Sequence, residues 1–349
     1  MPSLWSHPDY DAHETVHYAH DIGSGLSAII AVHSTHLGPG TGGTRFWHYV
    51  DKNDALTDVL RLSRGMSYKN AMAGLPLGGG KGVILAGEAR AKTPAMLSAY
   101  GQAIDALGGR YVTAEDVGIT TADMVQVARQ TNYVSGLPQS DASEAGGDPG
   151  PFTARGIYLG VRAAVRHKLG RSSMDGVRVA IQGVGSVGGG LARLLAADGA
   201  KLTIADIDRD KAAELAAETG AVQASLSDIM RVEADVFSPN ALGAILDEVS
   251  IANLNVAVVA GGANNQLARP DDAQRLFDRG ILYAPDYVIN AGGVINIGLE
   301  YLGESSAEEV NARIDNIPGR LEAIWRRSEA EGVPSANVAD RMARELIGR

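Results

Sequence analysis

The chain has 349 residues, of which 45% are hydrophobic and 21% charged, and its net charge is −10. This charge disfavours nucleic acid as a partner, because a phosphate backbone would be repelled on average. The sequence contains no cysteine, which excludes disulfides, thiolate nucleophiles and Cys-ligated zinc, and it has no apolar run of membrane-spanning length. We therefore expect a cytoplasmic protein with no metal site and no membrane partner.

The first part of the chain predicts a mixed α/β domain. An apolar, β-branched run predicts a buried strand over 25–33, and the glycine-rich segment LGPGTGGTR that follows it predicts a turn. Helical spacing of apolar residues predicts helices over 53–66 and about 93–107. A further strand, in RYVTA, should end at Glu115 and Asp116.

The second part predicts a Rossmann-type domain, a doubly wound parallel sheet with helices on both faces. GVRVAIQ (176–182) reads as a strand, GVGSVG opens a helix, and KLTIAD reads as the next strand, which ends at Asp206. Further strands are predicted at 234–237, 256–260 and 281–283. The complete assignment is a substrate-binding and catalytic domain at 1–135, a Gly/Pro-rich hinge at 136–152, an NAD-binding domain at 153–325, and a C-terminal helix at 326–349 that packs back toward the first domain.

The glycines of GVGSVG predict a dinucleotide site. Gly183 permits the tight turn, Gly185 lets the backbone approach a pyrophosphate, and Gly188 lets the helix pack closely on the strand. An acidic residue, Asp206, closes the following strand, where it would bind ribose hydroxyls and repel a 2′-phosphate, so the expected cofactor is NAD rather than NADP. The alternative is a glycine-rich turn of another α/β protein, with Asp206 as a helix cap.

The segment GLPLGGGKGVIL (74–85) places Lys81 among glycines and aliphatic residues. Desolvation there, together with a second ammonium at Lys69, should lower the pKa of Lys81, so that the amine can exchange protons near neutral pH. Gly82 follows the lysine where a phosphate-binding Walker loop needs Ser or Thr, which disfavours a nucleoside triphosphatase.

Seven segments between residues 37 and 296 resemble the amino-acid dehydrogenase family that includes leucine, valine, phenylalanine and glutamate dehydrogenases: LGPGTGGTR, MSYKNA, LGGGKGVI, GRYVTAEDVG, QGVGSVG, GGANNQL and APDYVINAGGVIN. The resemblance as a whole runs from about residue 10 to 345. The resemblance is closest to leucine and phenylalanine dehydrogenases. It implies that Lys81 and Asp116 are catalytic and that Lys69 holds the substrate α-carboxylate. It implies further substrate-binding residues, Thr41, Gly43, Met66, Asn264 and Val294. The implied cofactor-binding residues are Thr153, Gly183, Gly185, Ser186, Val187, Gly188, Asp206, Asn240, Ala260 and Asn264.

The resemblance also implies the reaction, a reversible NAD-dependent oxidative deamination of a hydrophobic L-amino acid to the 2-oxo acid, ammonium and NADH. Glutamate is disfavoured because Thr41 and Val294 are uncharged and a second carboxylate would be buried without a counter-charge. Val294 favours leucine, valine or isoleucine, whereas the short Thr41 leaves an aromatic substrate such as phenylalanine as the alternative. The rivals from other classes are a non-catalytic NAD-sensing protein and a reductase acting on 2-hydroxy acids. We expect small-molecule partners and a homo-oligomer.

Overall fold

The computed structural model describes residues 4–89, 91–138, 145–303 and 306–349. It separates into two compact units. The first contains the described residues of Met1–Asp148, Val294–Glu309 and Ala343–Arg349, and the second contains those of Pro149–Gly293 and Val310–Met342.

A five-stranded sheet forms the centre of the first unit. Its strands are β1 (Thr15–Asp21), β2 (Leu26–Ser34), β3 (Gly40–Trp47), β4 (Gly78–Leu85) and β5 (Tyr111–Glu115). The spatial order is β1-β2-β4-β3-β5, with β1 and β2 antiparallel to their neighbours and β3 parallel to both β4 and β5. The central strand is therefore β4, the strand that carries Lys81.

Three helices cover this sheet, namely α1 (Lys52–Met72), α2 (Pro94–Asp105) and α3 (Thr121–Ala128). Helix α1 begins after the N-cap Asp51 and packs Ala55, Val59 and Leu60 against one face. The other face is covered by apolar residues of α2 and α3. Because side chains alternate along a strand, each residue of β4 points to only one of these two layers.

The segment predicted as a glycine-rich turn, 37–45, is a turn only over 37–39 and a strand from Gly40 onward. The prediction was wrong for this second part, for a packing reason. A Cβ at Gly42 would lie 1.9 Å from the carbonyl oxygen of Gly80 on the neighbouring strand. The glycines of β3 and β4 thus permit close contact between neighbouring strands and with helix α1, rather than marking a reversal of the chain. Strands β1 and β4 were not predicted either.

The second unit contains a six-stranded parallel sheet in the order β11-β10-β9-β6-β7-β8. Its strands are β6 (Arg178–Gln182), β7 (Lys201–Ala205), β8 (Val222–Gln223), β9 (Val236–Pro239), β10 (Val258–Val259) and β11 (Leu282–Tyr283). The order reverses beside β6, the first strand of this sheet in the chain. This is the topology of a dinucleotide-binding fold, as predicted.

The remaining helices of the described chain are α4 (Gly150–Leu169), α5 (Ser186–Ala197), α6 (Arg209–Thr219), α7 (Glu248–Asn253), α8 (Asp272–Asp278), α9 (Asp286–Ile289), α10 (Gly292–Leu302), α11 (Ala307–Ile314), α12 (Ile317–Glu331) and α13 (Ser335–Leu346). Short 3-10 helices occur at Leu4–Ser6 and Ile229–Arg231. Within the ranges that the structure describes, no helix is long and apolar enough to span a membrane.

The C-terminal residues belong to the first unit and are held there by arginine side chains. Arg344 donates from Nε to the hydroxyl of Tyr68 at 2.8 Å, and Arg349 donates to the carbonyl oxygen of His33 at 2.7 Å. Of the hinge predicted at 136–152, residues 139–144 lie outside the described residues, and residues 150–152 form the start of α4.

Candidate active site

Lys81 lies at the centre of the first sheet and points toward helix α1. A Cβ at Gly79, two residues earlier on β4, would lie 2.1 Å from the backbone nitrogen of Ser67 in α1, and Val83, two residues later, packs in the α1 cluster. Because side chains alternate along a strand, the side chain of Lys81 points to the same face of the sheet as Gly79 and Val83, the face covered by α1. Its side chain is only 7% exposed.

Asp116 follows β5 and forms an ion pair with Lys81, with 2.8 Å between Nζ and Oδ2. Burial lowers the pKa of Lys81 below its ordinary value, and the attraction and hydrogen bond of Asp116 do not reverse this. Burial raises the pKa of Asp116, but its contacts with Lys81 and the charge of Arg45 outweigh burial, so the net shift is downward. The pair is thus a carboxylate beside an amine that loses its proton more easily than an ordinary lysine.

Three further side chains, which the sequence did not predict as site residues, are linked to Asp116 through hydrogen bonds and ion pairs. Nε of Arg45 on β3 lies 3.2 Å from Oδ2 of Asp116, and its NH1 lies 2.8 Å from Oδ2 of Asp58 on α1. The hydroxyl of Tyr49 donates to the same Asp58 oxygen at 2.7 Å. The signal was an arginine in a buried glycine-rich segment, which requires carboxylate partners.

All but one of the residues expected to bind substrate lie on β3, α1 and α10, and the exception is Asn264, in the loop after β10. Thr41 and Gly43 are buried on β3, and a Cβ at Gly43 would lie 2.9 Å from that of Asp116, so this glycine packs beside the carboxylate. Met66 and Lys69 are half-buried and one turn apart on α1. Val294 is half-buried on α10.

The glycine loop after β6 has the close contacts that its sequence predicts. Gly183 has φ +90°, and a Cβ at Gly188 would lie 1.9 Å from the Gly183 carbonyl oxygen, so helix α5 packs directly on the turn. Gly185, the N-cap of α5, has open space where its Cβ would be. Asp206 follows β7, and its Oδ2 accepts a hydrogen bond from the backbone nitrogen of Val184 at 2.6 Å.

Ser186 and Val187 are the first two residues of α5. Val187 packs closely on Gly262, since a Cβ at Gly262 would lie 3.2 Å from Cγ1 of Val187. Ala260 is buried directly after β10. Thr153 lies in the first turn of α4 and donates from Oγ1 to the carbonyl oxygen of Pro149 at 2.9 Å.

Three asparagines of the second unit are linked through one loop. Oδ1 of Asn240 accepts from the nitrogen of Gly262 at 2.9 Å, while Nδ2 of Asn290 donates to Oδ1 of Asn264 at 2.8 Å and to the carbonyl oxygen of Gly262 at 3.0 Å. Asn290 was not predicted, although it lies within the segment VINAGG. Its buried Oδ1 has no hydrogen-bond partner among the described residues.

Two protein-family descriptions match this chain. Residues 12–133 match "Glu/Leu/Phe/Val dehydrogenase, dimerisation domain", and residues 203–345 match "Glutamate/Leucine/Phenylalanine/Valine dehydrogenase". The leucine dehydrogenase of Geobacillus stearothermophilus is 46% identical over 338 residues, which cover 97% of this chain and 91% of that protein. The valine dehydrogenase of Streptomyces virginiae is 44% identical over 345 residues, covering 98% and 95%.

Solved structures give the same result. The L-tryptophan dehydrogenase from Nostoc punctiforme superposes with a TM-score of 0.86 at 40% identity, covering 96% of each chain. A glutamate dehydrogenase from Thermus thermophilus shares the fold, with a TM-score of 0.74 at 21% identity, covering 95% of this chain and 87% of that one. The chain therefore belongs to the glutamate, leucine, phenylalanine and valine dehydrogenase family, and it is an oxidoreductase that acts on the CH–NH2 group of amino acids.

Proposed function

We propose that the protein catalyses the reversible NAD-dependent oxidative deamination of a branched aliphatic L-amino acid, leucine, valine or isoleucine. The reaction converts the amino acid, water and NAD+ into the 2-oxo acid, ammonium, NADH and a proton. The observation that carries the proposal is the contact of 2.8 Å between Nζ of Lys81 and Oδ2 of Asp116. It brings a proton acceptor and a proton donor together at the sheet of the first unit, in a chain that belongs to the amino-acid dehydrogenase family.

The proposed chemistry divides among three side chains. A bound NAD+ would supply the acceptor for the hydride that leaves Cα of the amino acid, which leaves an imine. Neutral Lys81 then activates a water for attack on the imine carbon, and protonated Lys81 stabilises the alkoxide that develops. Asp116 exchanges a proton with the departing amine. Lys69 keeps its charge and holds the substrate carboxylate, which fixes the position of Cα.

The second unit has features that suit a dinucleotide. The open space at Gly185 lets a pyrophosphate reach the backbone at the start of α5, and the acidic Asp206 after the next strand suits the free ribose hydroxyls of NAD. The orphaned Oδ1 of Asn290 suits an amide donor such as the nicotinamide carboxamide. Ser186, Val187, Asn240, Ala260, Asn264 and Thr153 complete the residues that we propose to hold the cofactor.

The proposed preference for an aliphatic side chain rests on Thr41 and Val294, which leave a second carboxylate uncompensated, and on the names of the leucine and valine dehydrogenases reported above. The aromatic alternative is favoured by one observation, the structural similarity to an L-tryptophan dehydrogenase. One methylene changes discrimination by only about 1–3 kcal/mol, so we expect turnover of several aliphatic substrates.

The proposal includes the domain roles given above, a homo-oligomeric assembly, and the cytoplasmic location expected from the cysteine-free composition. The assembly is supported by the description of residues 12–133 as a dimerisation domain. Nucleic acid and membranes are not among the proposed partners.

The test is a substrate panel. The protein is mixed with NAD+ or NADP+ and single L-amino acids at alkaline pH, and formation of the reduced cofactor is followed. Oxidation of leucine or valine with NAD+, and none of glutamate, supports the proposal. Preference for phenylalanine or tryptophan would establish the aromatic alternative. Turnover of no amino acid would indicate a cofactor-sensing protein, and turnover of 2-hydroxy acids would indicate a reductase.

A further inference from the structure

We propose that Arg45 and Asp58 position the Lys81–Asp116 pair, with Arg45 fixing the carboxylate that Lys81 contacts and Asp58 fixing Arg45. The proposal rests on the deamination chemistry proposed above and extends it to two residues behind the reacting groups. Arg45 lies on β3, which is between β4, the strand that carries Lys81, and β5, the strand that Asp116 follows. In the pairing of these strands, Arg45 lies opposite Val83 of β4, and the preceding residue, Thr44, lies opposite Glu115 of β5.

One carboxylate oxygen of Asp116 contacts two cationic side chains. Oδ2 of Asp116 lies 2.8 Å from Nζ of Lys81 and 3.2 Å from Nε of Arg45. The two donors differ in chemistry, because an amine can lose its proton whereas a guanidinium stays charged throughout the working range of an enzyme. When Lys81 is neutral, Arg45 therefore still holds Asp116 as a carboxylate in the same place. The position of Asp116 does not depend on the protonation of its catalytic neighbour.

Arg45 is itself held from the opposite side. Its NH1 donates to Oδ2 of Asp58 at 2.8 Å, and Tyr49 donates its hydroxyl to that same oxygen at 2.7 Å. The side chains of Arg45, Asp58 and Asp116 are 23%, 35% and 24% exposed, so the network lies at the edge of the core, whereas Lys81 is inside it. A planar guanidinium with a carboxylate on each side has little freedom to rotate, which makes it a rigid support.

The network also fixes the electrostatics of the pair. The titratable groups that interact with the pair are Arg45 on β3, Asp58 on α1, Tyr49 after β3 by way of Arg45 and, by charge from the other face of the sheet, Tyr111 on β5. Arg45 lowers the pKa of Lys81, and Asp58 raises it, in addition to the larger effects of burial and Asp116. Removing either charge should therefore move the titration of Lys81, and the two removals should move it in opposite directions.

The test uses Arg45→Gln, Arg45→Lys and Asp58→Asn in the full chain, with Arg61→Gln as the control on an arginine of α1 that is 64% exposed. Lysines are labelled with 13C at Cε, and the signal of Lys81 is followed against pH by NMR. The midpoint should rise by on the order of one pH unit in Arg45→Gln, fall in Asp58→Asn, and stay near the original value in Arg45→Lys and Arg61→Gln.

Steady-state kinetics separates position from charge. Arg45→Gln and Arg45→Lys should both lower kcat by about 10- to 100-fold, since neither side chain has the fork, while KM for the amino acid changes less than about threefold. The proposal would be overturned if the Lys81 midpoints of Arg45→Gln and Asp58→Asn coincided with that of the unsubstituted protein, or if both moved in the same direction. So would an unchanged kcat in both Arg45 variants. If the unsubstituted protein oxidises no amino acid, the deamination proposal has failed, and the titration alone decides the role of Arg45.

Discussion

Gly79 is the position where a single methyl group should separate helix α1 from the strand that carries Lys81. A Cβ there would lie 2.1 Å from the backbone nitrogen of Ser67, 2.2 Å from its Oγ and 2.5 Å from the carbonyl oxygen of Ser63. Two of these three atoms belong to the backbone of α1, so no side-chain rotation relieves the clash. Gly79→Ala must displace the helix or the strand.

The size of the displacement follows from the distances. Ordinary contacts of a Cβ begin near 3.4 Å, so the two elements must move apart by more than an ångström. Overpacking of this kind costs about 1–3 kcal/mol of unfolding free energy. Because Lys69 and Met66 lie on the displaced helix, and a misplacement of about 1 Å can reduce a rate by about 100-fold, kcat/KM for the amino acid should fall by about that factor.

The control is Gly65→Ala on the same helix, where a Cβ meets nothing within 4 Å. It should raise the free energy of unfolding by about 0.5–1 kcal/mol, since alanine is the better helix former. Urea unfolding measures stability, and NADH formation measures activity. If Gly79→Ala keeps kcat/KM within threefold of the unsubstituted protein, α1 and β4 are not as tightly coupled to the chemistry as the distances imply.

Three further predictions concern other parts of the molecule. Asp206→Ala should raise KM for NAD+ and reduce discrimination against NADP+, measured by kcat/KM with each; unchanged discrimination would remove Asp206 from the cofactor site. Lys69→Ala should raise KM for the amino acid and for the 2-oxo acid by about 10- to 100-fold, with KM for NAD+ little changed. For His33, burial and then Arg349 lower the pKa from 6.5 to about 3, so the folded state resists a proton that the unfolded chain accepts. Between pH 6.5 and about 3, stability should therefore fall with pH by up to about 1.4 kcal/mol per unit, and His33→Gln but not the exposed His20→Gln should reduce that slope in urea unfolding.

The second unit could be predicted from sequence because its signals are local. The strand before Gly183, the glycine spacing and the acidic residue at Asp206 lie within one βαβ segment, and each is readable from its neighbours. The parallel sheet and its order confirm the predicted fold class. Asn290 was missed because its contact with Asn264 joins residues 26 positions apart, a pairing that only the folded chain creates.

The fold of the first unit was harder to predict from sequence, because glycine occurs both in turns and in closely packed strands. The glycines of LGPGTGGTR predict a turn, whereas Gly42 lies on a strand and lets two strands and a helix approach closely. Burial of Lys81 was expected from its glycine and aliphatic neighbours, and the structure shows that burial is the largest influence on its pKa. The sequence indicates that Arg45 needs carboxylate partners, but it could not identify them as Asp58 and Asp116, because the pairing depends on which strands and which helix lie beside β3.

The role of Lys81 is tested most directly by Lys81→Met, which keeps a long side chain in the buried site but has no proton to exchange. Turnover of the preferred amino acid and binding of NADH, followed by its fluorescence, are measured on the same preparation. The account predicts that turnover falls by about 100-fold or more while the affinity for NADH stays within about twofold. Turnover close to that of the unsubstituted protein would show that the proton passes through another group.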